Sequence, residues 1–217
     1  YAGLGDWENQ LQLLPDLKKY KVLDPEAYHD LERSVHVHQL EAARSSLAEL
    51  QSTWQSLPGR LKHDADLVRA YTRGLVALDD QQTAEQALLR ALKHEWNHDL
   101  LREYSLVQSA DSSKQLSRAE TWLSAHPEDA QLLLCLGRLA ARDNLWGKAR
   151  DYFESSYRLE RSTEICAELG RLLTALGEPK VAGAYYREGL LMREESRLPP
   201  LPMPGRVVPE GQQLARS

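Results

Sequence analysis

A chain of 217 residues with 42% apolar and 27% charged side chains can bury a real core, which excludes both a disordered polymer and a membrane-embedded bundle. Its net charge of −5 excludes nucleic-acid binding by overall charge, so no nucleic-acid partner is expected. Cys135 and Cys166 sit in apolar helical patterns with no CxxC pair, which points to two buried, reduced thiols rather than a disulfide or a zinc site. The chain opens on Tyr1, with no signal-peptide pattern and no apolar run near 18 residues, and is expected to be an excised soluble piece.

In chain order, helical periodicity predicts amphipathic helices over 6–19, 25–43, 46–57, 65–78, 81–94, 98–109, 113–125, 130–142, 146–159, 163–175 and 179–193. Leu, Ala, Glu and Arg are abundant, there is one phenylalanine, and no stretch alternates with period two. The connections are short and carry breakers: Asp24-Pro25, Pro58-Gly59, Asp79-Asp80, Asp111-Ser112, His126-Pro127, Asp143-Asn144 and Gly177-Glu178-Pro179. Helices of this length joined by so few residues pack as antiparallel hairpins.

Two segments repeat. "LGRLAARDNLWGKARDYFESS" (136–156) and "LGRLLTALGEPKVAGAYYREG" (169–189) place Gly137, Ala149 and Phe153 opposite Gly170, Ala182 and Tyr186. A small residue on each helix of a hairpin lets the two helices approach, and the aromatic one turn later is expected to fill the gap to the next hairpin. This pattern resembles the tetratricopeptide repeat, with its early Trp and closing Pro absent. Weaker copies carry Ala84 with Leu88 and Ala119 with Leu123. The expected architecture is an all-α, right-handed superhelical solenoid of tetratricopeptide-like hairpins. Its expected units are 1–24 (second helix of a truncated hairpin), 25–64 (a divergent hairpin), repeats at 65–98, 99–129, 130–162 and 163–196, and a Pro-rich tail at 197–217.

"HEWNH" (94–98) fits the H-E-x-x-H pattern, in which His94 and His98 would bind zinc and Glu95 would be the base. That chemistry needs one helix through all five residues. The repeat register instead ends a helix near Lys93 or His94, and Asn97 and Asp99 are cap-type residues. A structural turn with Trp96 as an apolar plug is therefore expected, with no metal ligand and no catalytic residue. His36 and His38, two apart on a helix, point in different directions. Dinucleotide, P-loop and nucleophile-elbow motifs are absent.

Solenoids bind along the face lined by the first helix of each hairpin. The tetratricopeptide register puts Arg69 and Arg73, Leu134 and Arg138, and Arg171 there, with Tyr104 and Gln108 in the intervening repeat and Arg142 beside Arg138. Arg73, Arg138 and Arg171 share one repeat position. One reading is an anion groove, since guanidinium forks match carboxylates. The competing reading is a solvated face of interhelical salt bridges to Asp66, Glu103, Glu164 or Glu168.

The stretches "DWENQLQLLPDLKKYKVL", "TWQSLPGRLKHDADLVRAYTRGL", "AEQALLRALKHEWN", "AETWLSAHPEDAQLLLCLGRLAARDNLWGKARDYFESSYRLE" and "ELGRLLTALGEPKVAGAYYREGL" together resemble the soluble region of the bacterial HemY family, "NLWGKARDYFE" most specifically. The resemblance covers Asp6 to about Arg193. It implies an inner-membrane protein of haem biosynthesis whose amino-terminal anchor is not in this chain; the reduced cysteines point to the cytoplasmic side for this domain. It supplies no catalytic residue and no cofactor, and the flavin enzyme that shares the name is set apart by its dinucleotide fingerprint. The implied function is a non-catalytic scaffold that gathers haem-biosynthesis enzymes or hands over a tetrapyrrole, so haem or porphyrin enters only as a ligand. The alternative is a general protein–protein adaptor with no tetrapyrrole contact; a zinc hydrolase through HEWNH comes third.

Overall fold

The computed structural model describes residues 7–194, which form helices joined by turns, with no strand among them. The helices are α1 (Trp7–Tyr20), α2 (Pro25–Ala42), α3 (Leu47–Ser56), α4 (Ala65–Ala77), α5 (Gln81–His94), α6 (His98–Leu106), α7 (Ser112–Glu120), α8 (Ala130–Arg142), α9 (Trp146–Leu159), α10 (Thr163–Ala175) and α11 (Pro179–Glu194). The Pro-rich tail expected at 197–217 lies outside the described residues.

Local chemistry explains most boundaries. Asp24, Asp64, Asp80, Asn97, Asp111, Asp129 and Ser162 each accept a backbone N–H of the following turn and so open α2, α4, α5, α6, α7, α8 and α10. Three hairpin turns close alike. Asp79, Asn144 and Gly177 have positive φ. The next residue donates back across six, from Asp80 to Leu75 O, Leu145 to Ala140 O and Glu178 to Leu173 O. This is the Schellman arrangement, which satisfies the last carbonyls of α4, α8 and α10.

The first helices α2, α4, α6, α8 and α10 pack successively against one another, and α5, α9 and α11 pack back on α4, α8 and α10. One apolar core runs from Leu40 through Leu75, Leu101, Leu136 and Phe153 to Leu172. The chain is therefore an all-α helical solenoid.

In the last two hairpins an added Cβ at Gly137 would collide with the Phe153 ring, and one at Gly170 with the Tyr186 ring. Ala149 and Ala182 are fully buried on the facing helices. The aromatic thus packs back over the glycine of its own hairpin, not only toward the next one as the sequence suggests. The small-residue position exists because the ring lies flat against bare backbone.

The α6–α7 hairpin differs. A helix is predicted over 98–109, but α6 stops at Leu106, and α7 gives way to a 3-10 turn at Thr121–Ser124. No left-handed residue closes the 107–111 connection. The side chain of Gln115, wholly buried, donates to the carbonyls of Tyr104 and Val107, at 3.1 Å each. Arg142, from α8, donates to the carbonyls of Ser105 (2.7 Å) and Val107 (2.6 Å) and to Gln115 Oε1. Side chains here satisfy carbonyls that a Schellman turn satisfies in the α4–α5, α8–α9 and α10–α11 hairpins.

Candidate partner-binding face

The first helices carry a ladder of ion pairs. Arg33 of α2 reaches Asp64 and Asp66 at the start of α4. On α4, Arg69 pairs with Asp66 and with Asp99 of α6, and Arg73 pairs with Glu103 of α6. Arg138 of α8 pairs with Glu164 (2.6 Å) and Glu168 (2.8 Å) of α10. Arg102 of α6 crosses over α8 to reach Glu164 of α10 at 2.8 Å, which requires the first-helix face to curve inward. Among the described residues, each arginine pair that links one first helix to another runs to a carboxylate further along the chain.

The predicted site residues therefore separate. Arg69, Arg73, Arg138 and Arg171 lie on the first helices, and each is paired, Arg171 with Glu168 of its own helix. The partners are the carboxylates named in the competing reading. Arg138 is only 11% exposed. Burial works against its charge, yet Glu164 and Glu168 raise its pKa above the ordinary arginine value. Arg138 is a structural residue rather than an open anion ligand.

Tyr104 and Leu134, expected on the groove, are buried instead. Tyr104 packs against Trp122, its hydroxyl donates to Gln115 O, and burial pushes its pKa up. Leu134 is part of the core because an apolar side chain on a helix flanked on both sides is covered. Gln108 falls beyond α6, on an exposed loop, where its N–H donates to Gln81. Arg142 is occupied by the α6–α7 carbonyls, and burial lowers its pKa. The groove thus keeps its α4 arginines and loses its expected apolar platform.

Two cavities lie beside α2. One of about 350 Å³ lies between α2 and α4, lined by Arg33, Arg44, Arg69 and Arg73 together with Asp30, Glu41 and Asp66. The Nε of Arg44 there is buried without a hydrogen-bond partner. The other, about 520 Å³, lies between α1, α2 and the 59–63 turn, with Leu17, Leu23 and Pro25 below Lys18, Lys21 and His29. The sequence reading missed both, since each depends on the approach of α2 to a neighbour.

The five residues of HEWNH straddle two helices. His94 ends α5, Glu95 is extended (φ −146°, ψ 128°), and Asn97 caps α6. His94 stacks on His63, while His98 Nε2 lies 2.9 Å from Asp129 Oδ2. Trp96 donates to the same oxygen at 2.8 Å and stacks on His126. Among the described residues no group of three or more His, Cys, Asp or Glu is placed to hold a metal ion. His36 is bonded to Gln39, His38 to Ser34 O. Both thiols are free and buried, and burial pushes Cys135 up to about 12.

Stacked hairpins with glycine–aromatic contacts and a first-helix face define a tetratricopeptide-type solenoid. A thermophilic TPR protein of Thermus thermophilus has this fold: 88% of this chain covers 93% of that one with a TM-score of 0.53 at 17% identity. The chain is also HemY-like. It is 24% identical over 202 residues to Protein HemY of Escherichia coli K12, and equally to that of Shigella flexneri, which takes in 92% of this chain and 50% of each relative. The chain thus spans about half the length of the curated relatives it matches. No model of a known protein family matches it. No described helix is long and apolar enough to cross a membrane.

Proposed function

We propose that this chain is the partner-binding region of a non-catalytic scaffold of haem biosynthesis, held at the bacterial inner membrane by another part of the protein, with this region on the cytoplasmic side. The observation that carries the reading is the likeness to proteins named HemY across 92% of the chain, through all the first helices. A face of alternating arginines and carboxylates suits a protein surface of mixed charge, and electrostatic complementarity of this kind sets register and specificity. The α2–α4 cavity, lined by Arg33, Arg44, Arg69 and Arg73, is where a partner's carboxylate is received.

The burial of Tyr104 and Leu134 favours protein partners over direct tetrapyrrole contact on the first-helix face, because no apolar platform for a flat ring is left there. A tetrapyrrole finds suitable chemistry in the α1–α2 cavity instead, with an apolar floor and Lys18 and Lys21 for propionates. The test is recovery of haem-biosynthesis enzymes with tagged full-length protein from membranes, for wild type, Arg44→Glu with Arg69→Glu, and Lys18→Glu with Lys21→Glu, alongside haem titration of each. Wild type should enrich pathway enzymes, and the first variant should lose them. Enrichment no better than with an unrelated tagged membrane protein overturns the pathway reading. Haem binding lost only in the lysine variant restores the tetrapyrrole role.

A further inference from the structure

The array repeats a docking face, and its last copy stands open. Between adjacent first helices, Arg69 pairs with Asp99, Arg73 with Glu103 and Arg138 with Glu168, each 30 residues further on. Arg171 holds the same repeat position as Arg138 but is 72% exposed, against 11% for Arg138. The same contrast holds for the aromatic: Phe153 is 1% exposed, Tyr186 43%. Leu190, one turn beyond Tyr186 on the same side of α11, is exposed as well. On the preceding hairpin the equivalent face of α8 and α9 is covered by α10, which brings Glu168 to Arg138.

We propose that the α10–α11 end is a docking surface for an amphipathic helix of a partner protein, which lays small or aliphatic side chains over Tyr186 and Leu190 and sets a carboxylate beside Arg171. The chain's own following residues do not match that description. The position 30 residues beyond Arg171 is Leu201, in a run with Pro199, Pro200, Pro202 and Pro204, and proline interrupts a helix. A helix added to an exposed apolar stripe with one matched charge is a familiar recognition mode. Its apolar part, Tyr186 and Leu190, lies on α11 and off the first-helix face, with Arg171 alone shared between the two, so failure of the Leu190 test leaves the scaffold reading standing, and failure of that reading leaves this surface testable.

The probe is α10 itself: a peptide of residues 163–177 with Cys166→Ala, stapled on its outward side and checked for helicity by circular dichroism. Added to the isotope-labelled 217-residue chain, it should give saturable amide shifts clustered on α11 and Arg171. Leu190→Glu in the chain should abolish them. Arg171→Glu should weaken binding by roughly two- to fivefold, the range of an exposed ion pair, and a peptide with Glu168→Lys should restore it. Three outcomes overturn the proposal. One is the absence of saturable shifts on α11, or shifts indifferent to both substitutions. Another is binding that appears only after residues 197–217 are removed, which makes the chain's own tail the occupant. The third is self-association of the chain abolished by Leu190→Glu, which makes a second copy the occupant.

Discussion

The α8–α9 and α6–α7 hairpins solve one problem with different chemistry. In α8–α9, Gly137 and Ala149 remove side-chain bulk, Phe153 covers the bare backbone, and a left-handed Asn144 satisfies the closing carbonyls locally. In α6–α7 there is no such turn, and buried Gln115 and distant Arg142 do the same work with hydrogen bonds. The closing turn of the first hairpin is self-contained. The second is complete only when α8 has docked, so its stability is borrowed from its neighbour. In a quasi-one-dimensional array that makes 98–124 the region whose order depends most on an interface.

The largest expected break is on the apolar side. Phe153→Ala should cost about 3–5 kcal/mol in denaturant unfolding, and the equivalent Tyr186→Ala far less, because Tyr186 is already 43% exposed. Equal losses would mean that the two glycine–aromatic contacts are not equivalent in register. On the polar side, Arg142→Met should cost roughly 3 kcal/mol by stranding the carbonyl of Ser105 and the buried Oε1 of Gln115, and by leaving Val107 O to Gln115 alone. Hydrogen exchange should speed up first in α6 and α7. Arg142→Lys should not rescue it, since an ammonium gathers its donors on one nitrogen and lacks the planar fork that sends Nη1 to Val107 O and Nη2 to Ser105 O; full protection in either variant would refute the dependence of α6–α7 on α8.

Smaller effects sharpen the contrast. Gly137→Ala should cost about 1–3 kcal/mol through overpacking against a sealed ring, whereas Gly170→Ala should come close to neutral, as the exposed Tyr186 swings away and alanine's helix propensity offsets the strain. Melting temperatures of the pair decide it. The smallest effect concerns the junction before α6. Burial works against ionisation of Asp129, but hydrogen bonds from Trp96, Leu132 N–H and His98 outweigh it and hold its pKa below the ordinary value. A depressed folded pKa contributes stability that is whole above the unfolded value of about 3.9 and is lost as pH falls through the lower folded value. Tryptophan fluorescence should therefore report a loss in acid for wild type, and Asp129→Asn should remove that part of the acid dependence.

How far each region was legible follows from where its information lies. Helices 81–94, 130–142, 146–159 and 163–175 end where the sequence predicts because Asp80, Asp129, Asn144 and Ser162 act within a turn of themselves. The early end of α6 is not local. Its carbonyls are satisfied by Arg142, 35 and 37 residues away from its acceptors, and no window around Leu106 contains that. Carrying the register of the long repeats into this shorter one misplaced Tyr104 and Gln108. Leu134 gave its own warning, since a leucine amid the run Leu132–Leu136 belongs to a core helix buried on several sides. The arginine pairings are legible in the sequence, since a carboxylate stands 30 residues beyond Arg69, Arg73 and Arg138 alike.

A solenoid is a spring, and the Arg102–Glu164 contact is a tether across two of its coils. It joins α6 to α10 with α8 beneath it, so the coils between them cannot open without parting it. Its Arg102 end is about half exposed, where dissolved salt screens it. The curvature of the array is thus held in part by a bond that weakens with ionic strength, so salt loosens a restraint that spans two coils while leaving their packing in place.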